Sequence, residues 1–245
     1  MSEPGRLDAE WTPPPGVCAF VTTREGGAGS GAFASFNLSY RVGDETATVD
    51  NNRRRLRTWL PAEPRWLRQV HGSHVVDAAT VTGDVKADAS VTRQRGVVCA
   101  ISVADCLPVL FCDRAGSVVA AAHAGWRGLA GGVLESTLAA MRCNPADVLA
   151  WLGPGIGPTA FEVGADVHAA FTGQDPATAD AFRPHAPGKW LCDLFALARL
   201  RLAQAGVTTV HGGGHCTYRD ATRFFSYRRD RTTGRMAAFV WLQAF

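Results

Sequence analysis

The stretch VVCAISVADCLPVLFC (97–112), followed after a short turn by VVAAAHAGWRG (118–128), decides the class of this fold. Runs of Val, Ile, Leu and Ala without polar alternation mark strands covered on both faces, so layers are required on either side of their sheet. The stretch supplies expected strands at 97–103, 107–112 and 118–123, and working outward the same composition predicts others at 17–23, 65–71, 148–152, 207–211 and 236–242. Helical spacing predicts a helix over 193–205, where Asp193 is a natural N-cap, Leu194, Leu197, Ala198 and Leu202 share one face, and Gly206 stops the helix. Two more helices are expected at 46–60 and 128–141, and a shorter one at 164–171. Strands and helices neither alternate regularly nor group apart, which predicts an α+β fold with mixed β-sheets rather than a regular βαβ array.

With 47% hydrophobic and 19% charged residues in 245, the chain has the composition of a folding sequence rather than a disordered one. Asp105 and Pro108 interrupt its longest apolar run, well short of the roughly 20 residues of a membrane helix, so no membrane partner is expected. The start MSEPGRLDAEWTPPPG has acids and prolines where a signal peptide needs an apolar core, which predicts a cytoplasmic protein. Seven cysteines, an odd number, then read as core residues, metal ligands or nucleophiles rather than a disulfide framework. A net charge of +3 is too small to argue for nucleic acid. No repeat or long linker divides the chain, so one domain over 1–245 is expected.

Polar groups set into apolar strands carry the chemistry, because burying one without a partner costs about 1–3 kcal/mol. His71 ends WLRQVH, with His74 close behind; Asp105 and Cys106 break ISVADCLPVLF; His123 ends VVAAAHAG. Each lies at a strand end, where a rigid sheet presents functional side chains. Two imidazoles and a thiolate could bind zinc with a fourth position open, the arrangement of a catalytic site. The same residues also fit a cysteine hydrolase with Cys106 as nucleophile and His123 as base. HExxH, the HxE…PCxxC deaminase signature, the P-loop and GxGxxG are all absent. GPGIG (153–157) reads as a tight turn that could bring amides to a phosphate. FFSYRRD (224–230) reads as an edge strand with a charged end, or as a stacking platform with a phosphate clamp.

The segments TTREGG, FNLSYRVGD, NNRRRL, RQVHGSHV, ADASVT, SVADCLPVLF, AAHAGWRGL, LGPGIGP, FEVG, DLFALARLRLAQAGV, CTYRD and FFSYRRDRTTGRMAAFVWL cover most of the chain. In order and spacing they resemble the cytoplasmic purine nucleoside phosphorylases once described as laccase-domain polyphenol oxidases. The resemblance implies a four-layer α/β/β/α sandwich, similar to certain cysteine-dependent toxin domains, and a Zn2+ site formed by His71, Cys106 and His123. It also implies phosphorolysis of adenosine, inosine and methylthioadenosine and hydrolytic deamination of adenosine, with purine nucleosides and inorganic phosphate as partners; a monomer or weak dimer is expected. Many relatives carry a double cysteine and a tyrosine after GPxIGP, where this chain has Thr159, Ala160, Phe161 and Glu162. Copper chemistry relying on those thiols is therefore ranked below the nucleoside reactions. For these, Asp105 is expected as an acid or as a carboxylate orienting a ligand histidine. Arg127 is expected as the first phosphate clamp, with Arg24, Arg228 and Arg229 behind it, and Asn37 as a ribose or base contact or a turn residue.

Overall fold

The structure, a computed structural model, describes residues 5–244. Two sheets lie face to face. A four-stranded antiparallel sheet has the order β1 (Arg6–Asp8), β2 (Val17–Thr22), β13 (Met236–Leu242), β5 (Val98–Val103). A six-stranded mixed sheet has the order β12 (Thr209–Gly212), β8 (Val148–Leu152), β6 (Leu107–Asp113), β7 (Val119–Ala124), β4 (Ala89–Thr92), β3 (Val75–Asp77). Its outermost pairs, β12 with β8 and β3 with β4, are parallel, and the pairs between them antiparallel. A small antiparallel sheet of β10 (Phe182–Ala186), β11 (Lys189–Cys192) and β9 (Glu162–Gly164) stands apart from both.

Side-chain alternation along the strands produces the layers. On β13, Met236, Ala238, Val240 and Leu242 fill the space between the sheets. Ala237, Phe239 and Trp241 face the opposite way, toward helix α1 (Thr46–Arg57) and its Leu56. On β6, Leu110 and Cys112 enter the inter-sheet core. Leu107, Val109 and Phe111 instead meet the helical layer that contains α3 (Val133–Met141) and α5 (Leu194–Gln204). The result is the α/β/β/α order expected for an α+β fold. Asp193 caps α5, its carboxylate accepting from Ala196 N at 2.9 Å.

Several elements differ from the sequence expectation. Segment 65–71 is no strand: it makes only isolated bridges, Arg65 to Cys99 and Arg68 to Lys86, because its amides pair with different neighbours. The helix expected over 128–141 is divided by Gly131 and Gly132, the latter at φ 84°, into α2 (Trp126–Ala130) and α3. The helix over 164–171 is α4 (Ala165–Thr172). FFSYRRD is not an edge strand: Phe224 and Phe225 are fully buried, and Ser226 caps a single helical turn, α6 (Tyr227–Asp230). The GPGIG amides are already committed, Gly153 to Pro108 O, Gly155 to His215 O, Ile156 to Asp105 O and Gly157 to Cys216 Sγ, so the turn has no free nest for phosphate.

Phe239 sits in the aromatic core beneath α1, its ring centroid 5.1 Å from Phe20 and 5.8 Å from Trp66. Phe239→Ala is expected to destabilise the protein by about 3–5 kcal/mol, measured by urea unfolding.

Candidate metal centre

His71, Cys106 and His123 converge at one end of the inter-sheet space. Their ligand atoms all lie within 4.8 Å of one another, with His71 Nε2 3.8 Å from Cys106 Sγ and the two imidazole centroids 4.8 Å apart. His123 shares its strand face with Val119 and Ala121, which belong to the inter-sheet core. Cys106 follows Asp105, whose φ of 94° turns the chain from β5 into β6. His71 is itself left-handed at φ 61°. Non-glycine residues held there cost of order 1–3 kcal/mol each and persist only where their surroundings enforce the conformation.

That enforcement is visible in the hydrogen bonds. Gln69 exchanges two 2.8 Å bonds with the backbone of Ser102, tying the approach to His71 onto β5. Asp88, completely buried, accepts from the backbone N–H of Val70, His71 and Gly72 at 3.1, 2.9 and 2.8 Å. Its Oδ1 also lies 2.8 Å from His123 Nδ1. An ionised carboxylate only accepts, so Nδ1 carries a proton, and Nε2 is the nitrogen left for a metal once its own proton is lost. Two glycines make the close approach possible. A Cβ on Gly125 would lie 2.9 Å from Cys106 Sγ and 3.0 Å from His71 Cδ2, and one on Gly128 would lie 2.9 Å from Gly72 O.

The electrostatics favour the Cys106 thiolate, the form a metal binds, while His123 would have to release a proton to join it. Burial drives the Cys106 thiol up, but the imidazoles of His123 and His71 outweigh it and bring its pKa down to about 6. Burial pushes His123 down, and the Cys106 thiolate with the Asp88 carboxylate raises it to about 9. Burial also opposes ionisation of Asp88, yet the bonds from His123 and the Gly72 and Val70 amides hold it below the usual carboxylate range. Two imidazole nitrogens and one thiolate, oriented by a carboxylate, fit a zinc-type ion with an open position.

The cluster forms part of the wall of a cavity of about 710 Å³, within the range of about 300–1,000 Å³ of small-molecule sites. Several expected site residues do not line it. Asp105 turns its carboxylate onto Thr217 Oγ1 (2.6 Å) and Arg228 N (2.6 Å), away from both histidines; the orienting carboxylate is Asp88 instead. Arg127 is exposed and stacks on Trp126 at 4.3 Å. Arg24 bonds Ala34 O and Ala221 O, Arg228 bonds Glu162 O, and Arg229 bonds Thr217, Tyr218 and Phe224 carbonyls, so all three fasten loops. Asn37 is a turn organiser: its amide donates to Ser39 O and Asp44, and its Oδ1 accepts from Ser39 N and Arg235 N.

The cations that do line the cavity are Arg41, Arg53 and Arg235. Arg41 pairs with Asp84. Arg53 lies between the rings of Tyr40 and Trp66, 4.3 and 4.0 Å from their centroids, with Nε on Leu38 O. Spacing could have singled out Arg53 within NNRRRL, since it lies four residues after Val49 and three before Leu56, both buried on the inward face of α1.

Comparison with known proteins follows this geometry. Residues 18–243 match the family described as multi-copper polyphenol oxidoreductase laccase. The chain is 52% identical over 238 residues to a purine nucleoside phosphorylase of Pseudomonas aeruginosa, covering 97% of this chain and 98% of that one. It is 51% identical over 239 residues to purine nucleoside phosphorylase YfiH of Escherichia coli, with 95% and 97% covered. A crystal structure of a Neisseria meningitidis protein assigned to the DUF152 family superposes with a TM-score of 0.95 at 51% identity, over 98% of this chain and 100% of that one. YlmD of Geobacillus stearothermophilus superposes at 0.90 with 35% identity, over 100% and 98%.

Asp88→Asn is expected to weaken metal affinity by about 10- to 100-fold, measured by competition with a chromogenic chelator. Asp105→Asn, which touches no ligand, is expected to lower thermal stability instead. In chelated protein, Cys106 alkylation should be slow below its pKa, where the thiol is protonated, and rise through a midpoint near pH 6. Cys99, Cys112 and Cys192, pushed up to about 12 with burial the main cause, should stay unreactive over that range, as mass spectrometry of the adducts would show.

Proposed function

Because this chain belongs to the multi-copper polyphenol oxidoreductase laccase family, and relatives at about half identity carry the name purine nucleoside phosphorylase, we propose that it is a zinc-dependent purine nucleoside phosphorylase. Its substrates are adenosine, inosine and methylthioadenosine, and it also deaminates adenosine hydrolytically. The observation that carries this reading is the His71–Cys106–His123 cluster opening onto a cavity of small-molecule size.

In phosphorolysis an oxygen of inorganic phosphate bonds to ribose C1′ as the C1′–N9 bond breaks. The electron pair leaves with the purine, which takes up a proton, and ribose 1-phosphate remains. His71, Cys106 and His123 would hold a zinc ion, which would supply Lewis acidity to this cavity. Asp88 holds the His123 tautomer, and the pinned turn at Gln69 holds His71 against Cys106. Tyr40 and Tyr227, both lining the cavity and 45% and 50% exposed, offer aromatic faces suited to a purine.

The lowered Cys106 pKa beside His123 also favours a second reading, a cysteine hydrolase. Copper oxidation of phenols ranks lower. It ordinarily needs several imidazoles around more than one copper, and among the described residues this is the one group of three or more ligand side chains that could hold a metal.

Purified protein incubated with each nucleoside, with and without phosphate, should release adenine, hypoxanthine or methylthioribose 1-phosphate only when phosphate is present. Inosine should form from adenosine regardless of phosphate. Chelation should abolish both activities, and zinc should restore them. Full activity in metal-free protein, with a substrate adduct on Cys106, would replace this assignment with the hydrolase. Two or more coppers per chain with phenol turnover would replace it with the oxidase.

A further inference from the structure

A charge withdrawn from water without a counter-ion is costly, so a cavity that keeps one is suited to a ligand of opposite charge. Arg235, just before β13, is such a group. It is half-buried, lines the cavity that holds the metal cluster, and among the described residues forms no ion pair. The loop fixes it in place. Its Nη1 donates to Thr233 O and Gly234 O at 2.9 Å each, and its backbone N donates to Asn37 Oδ1 at 2.9 Å. That leaves the Nε and Nη2 N–H groups, the side-on pair that grips two oxygens of one oxyanion.

The neighbouring anions are already engaged. The Asp105 carboxylate is bonded to Thr217 and Arg228 N. Cys106, which with Asp105 is near enough to act on the Arg235 charge, belongs to the metal ligand set. With the Cys106 thiolate and the Asp88 carboxylate behind His123, a divalent ion would leave the cluster close to neutral, so Arg235 supplies the positive charge that an oxyanion in this cavity meets. Arg53 is a poorer anchor, since Asp50 and Glu63 already act on its charge.

We propose that Arg235 is the phosphate-binding residue of this cavity, holding inorganic phosphate side-on next to the His71–Cys106–His123 cluster. The proposal rests on the phosphorylase reading for the identity of the anion, and replaces Arg127, Arg24, Arg228 and Arg229 in that role.

Inorganic phosphate is titrated calorimetrically into metal-loaded protein, with and without inosine. Arg235→Gln should weaken phosphate binding at least about tenfold, since a hydrogen bond to a charged group is lost. Arg235→Lys, which keeps the charge without the fork, should fall between, and Arg127→Gln should bind as wild type. Metal content and melting temperature of each variant report whether the fold survives. Should Arg235→Gln misfold, phosphate should still protect Arg235 of the wild type from phenylglyoxal, read by peptide mass spectrometry. Undiminished phosphate binding in a folded Arg235→Gln, no phosphate binding to the wild type, or no protection would overturn the proposal. Phosphate-dependent turnover with normal phosphate binding in Arg235→Gln sinks the anchor alone. Purine release by wild type at an unchanged rate without phosphate sinks the phosphorylase reading, while the titration still reports on Arg235.

Discussion

The carboxylate of Asp88 joins the two halves of the site. It lies just before β4, buried to zero exposure, between the turn that carries His71 and the strand that carries His123. Three backbone amides and one imidazole meet its two oxygens, so the cost of burying the charge is offset on every side. One group thereby stabilises a left-handed histidine and fixes the tautomer of the other. Without it, His71 would sit on a turn with three unpaired amides, and His123 would be free to present either nitrogen.

The sandwich supplies what that carboxylate cannot, a rigid frame. β5, β6 and β7 deliver Ser102, Cys106 and His123 to one end of the inter-sheet core, and their alternation leaves little freedom about which face each occupies. The register pairs Pro108 with His123 across β6 and β7, so Cys106 emerges close to the imidazole. Gly125 then lets the start of α2 approach Cys106 and His71, and Gly128 lets it approach the Gly72 carbonyl, where any side chain would collide. The left-handed φ values of His71 and Asp105 lie in the His71–Cys106–His123 cluster or next to it, where the surrounding packing holds them.

Around this end of the molecule the chain uses its abundant arginines in two ways. Arg24, Arg228 and Arg229 donate to backbone carbonyls and hold the loops that follow β2 and precede β13. Arg53 and Arg235 turn toward the cavity, the first between aromatic rings and the second fastened to its own loop. Chemically identical side chains therefore do different work, according to whether a carbonyl or an open space lies within reach.

What could be learned from order along the chain was considerable. The apolar runs at 97–112 and 118–123 announce strands covered on both faces, Asp193 and Gly206 bound a helix, and His71, Cys106 and His123 stand out as polar groups set against apolar segments, so each is visible one residue at a time. The glycines at 131 and 132 that divide α2 from α3 were equally visible, but their effect depends on how the two helices pack. Only tertiary structure decided the rest. Asp88 is 35 residues from His123 and Asn37 is 198 from Arg235, and each partnership exists because separate strands and loops meet in space. Asp105 illustrates the limit: adjacent to Cys106 in sequence, it points its carboxylate elsewhere because a left-handed backbone separates the directions of the two side chains. Local pattern determines which residues are buried and on which face, whereas the partner each polar group finds is set by long-range packing that spacing does not encode.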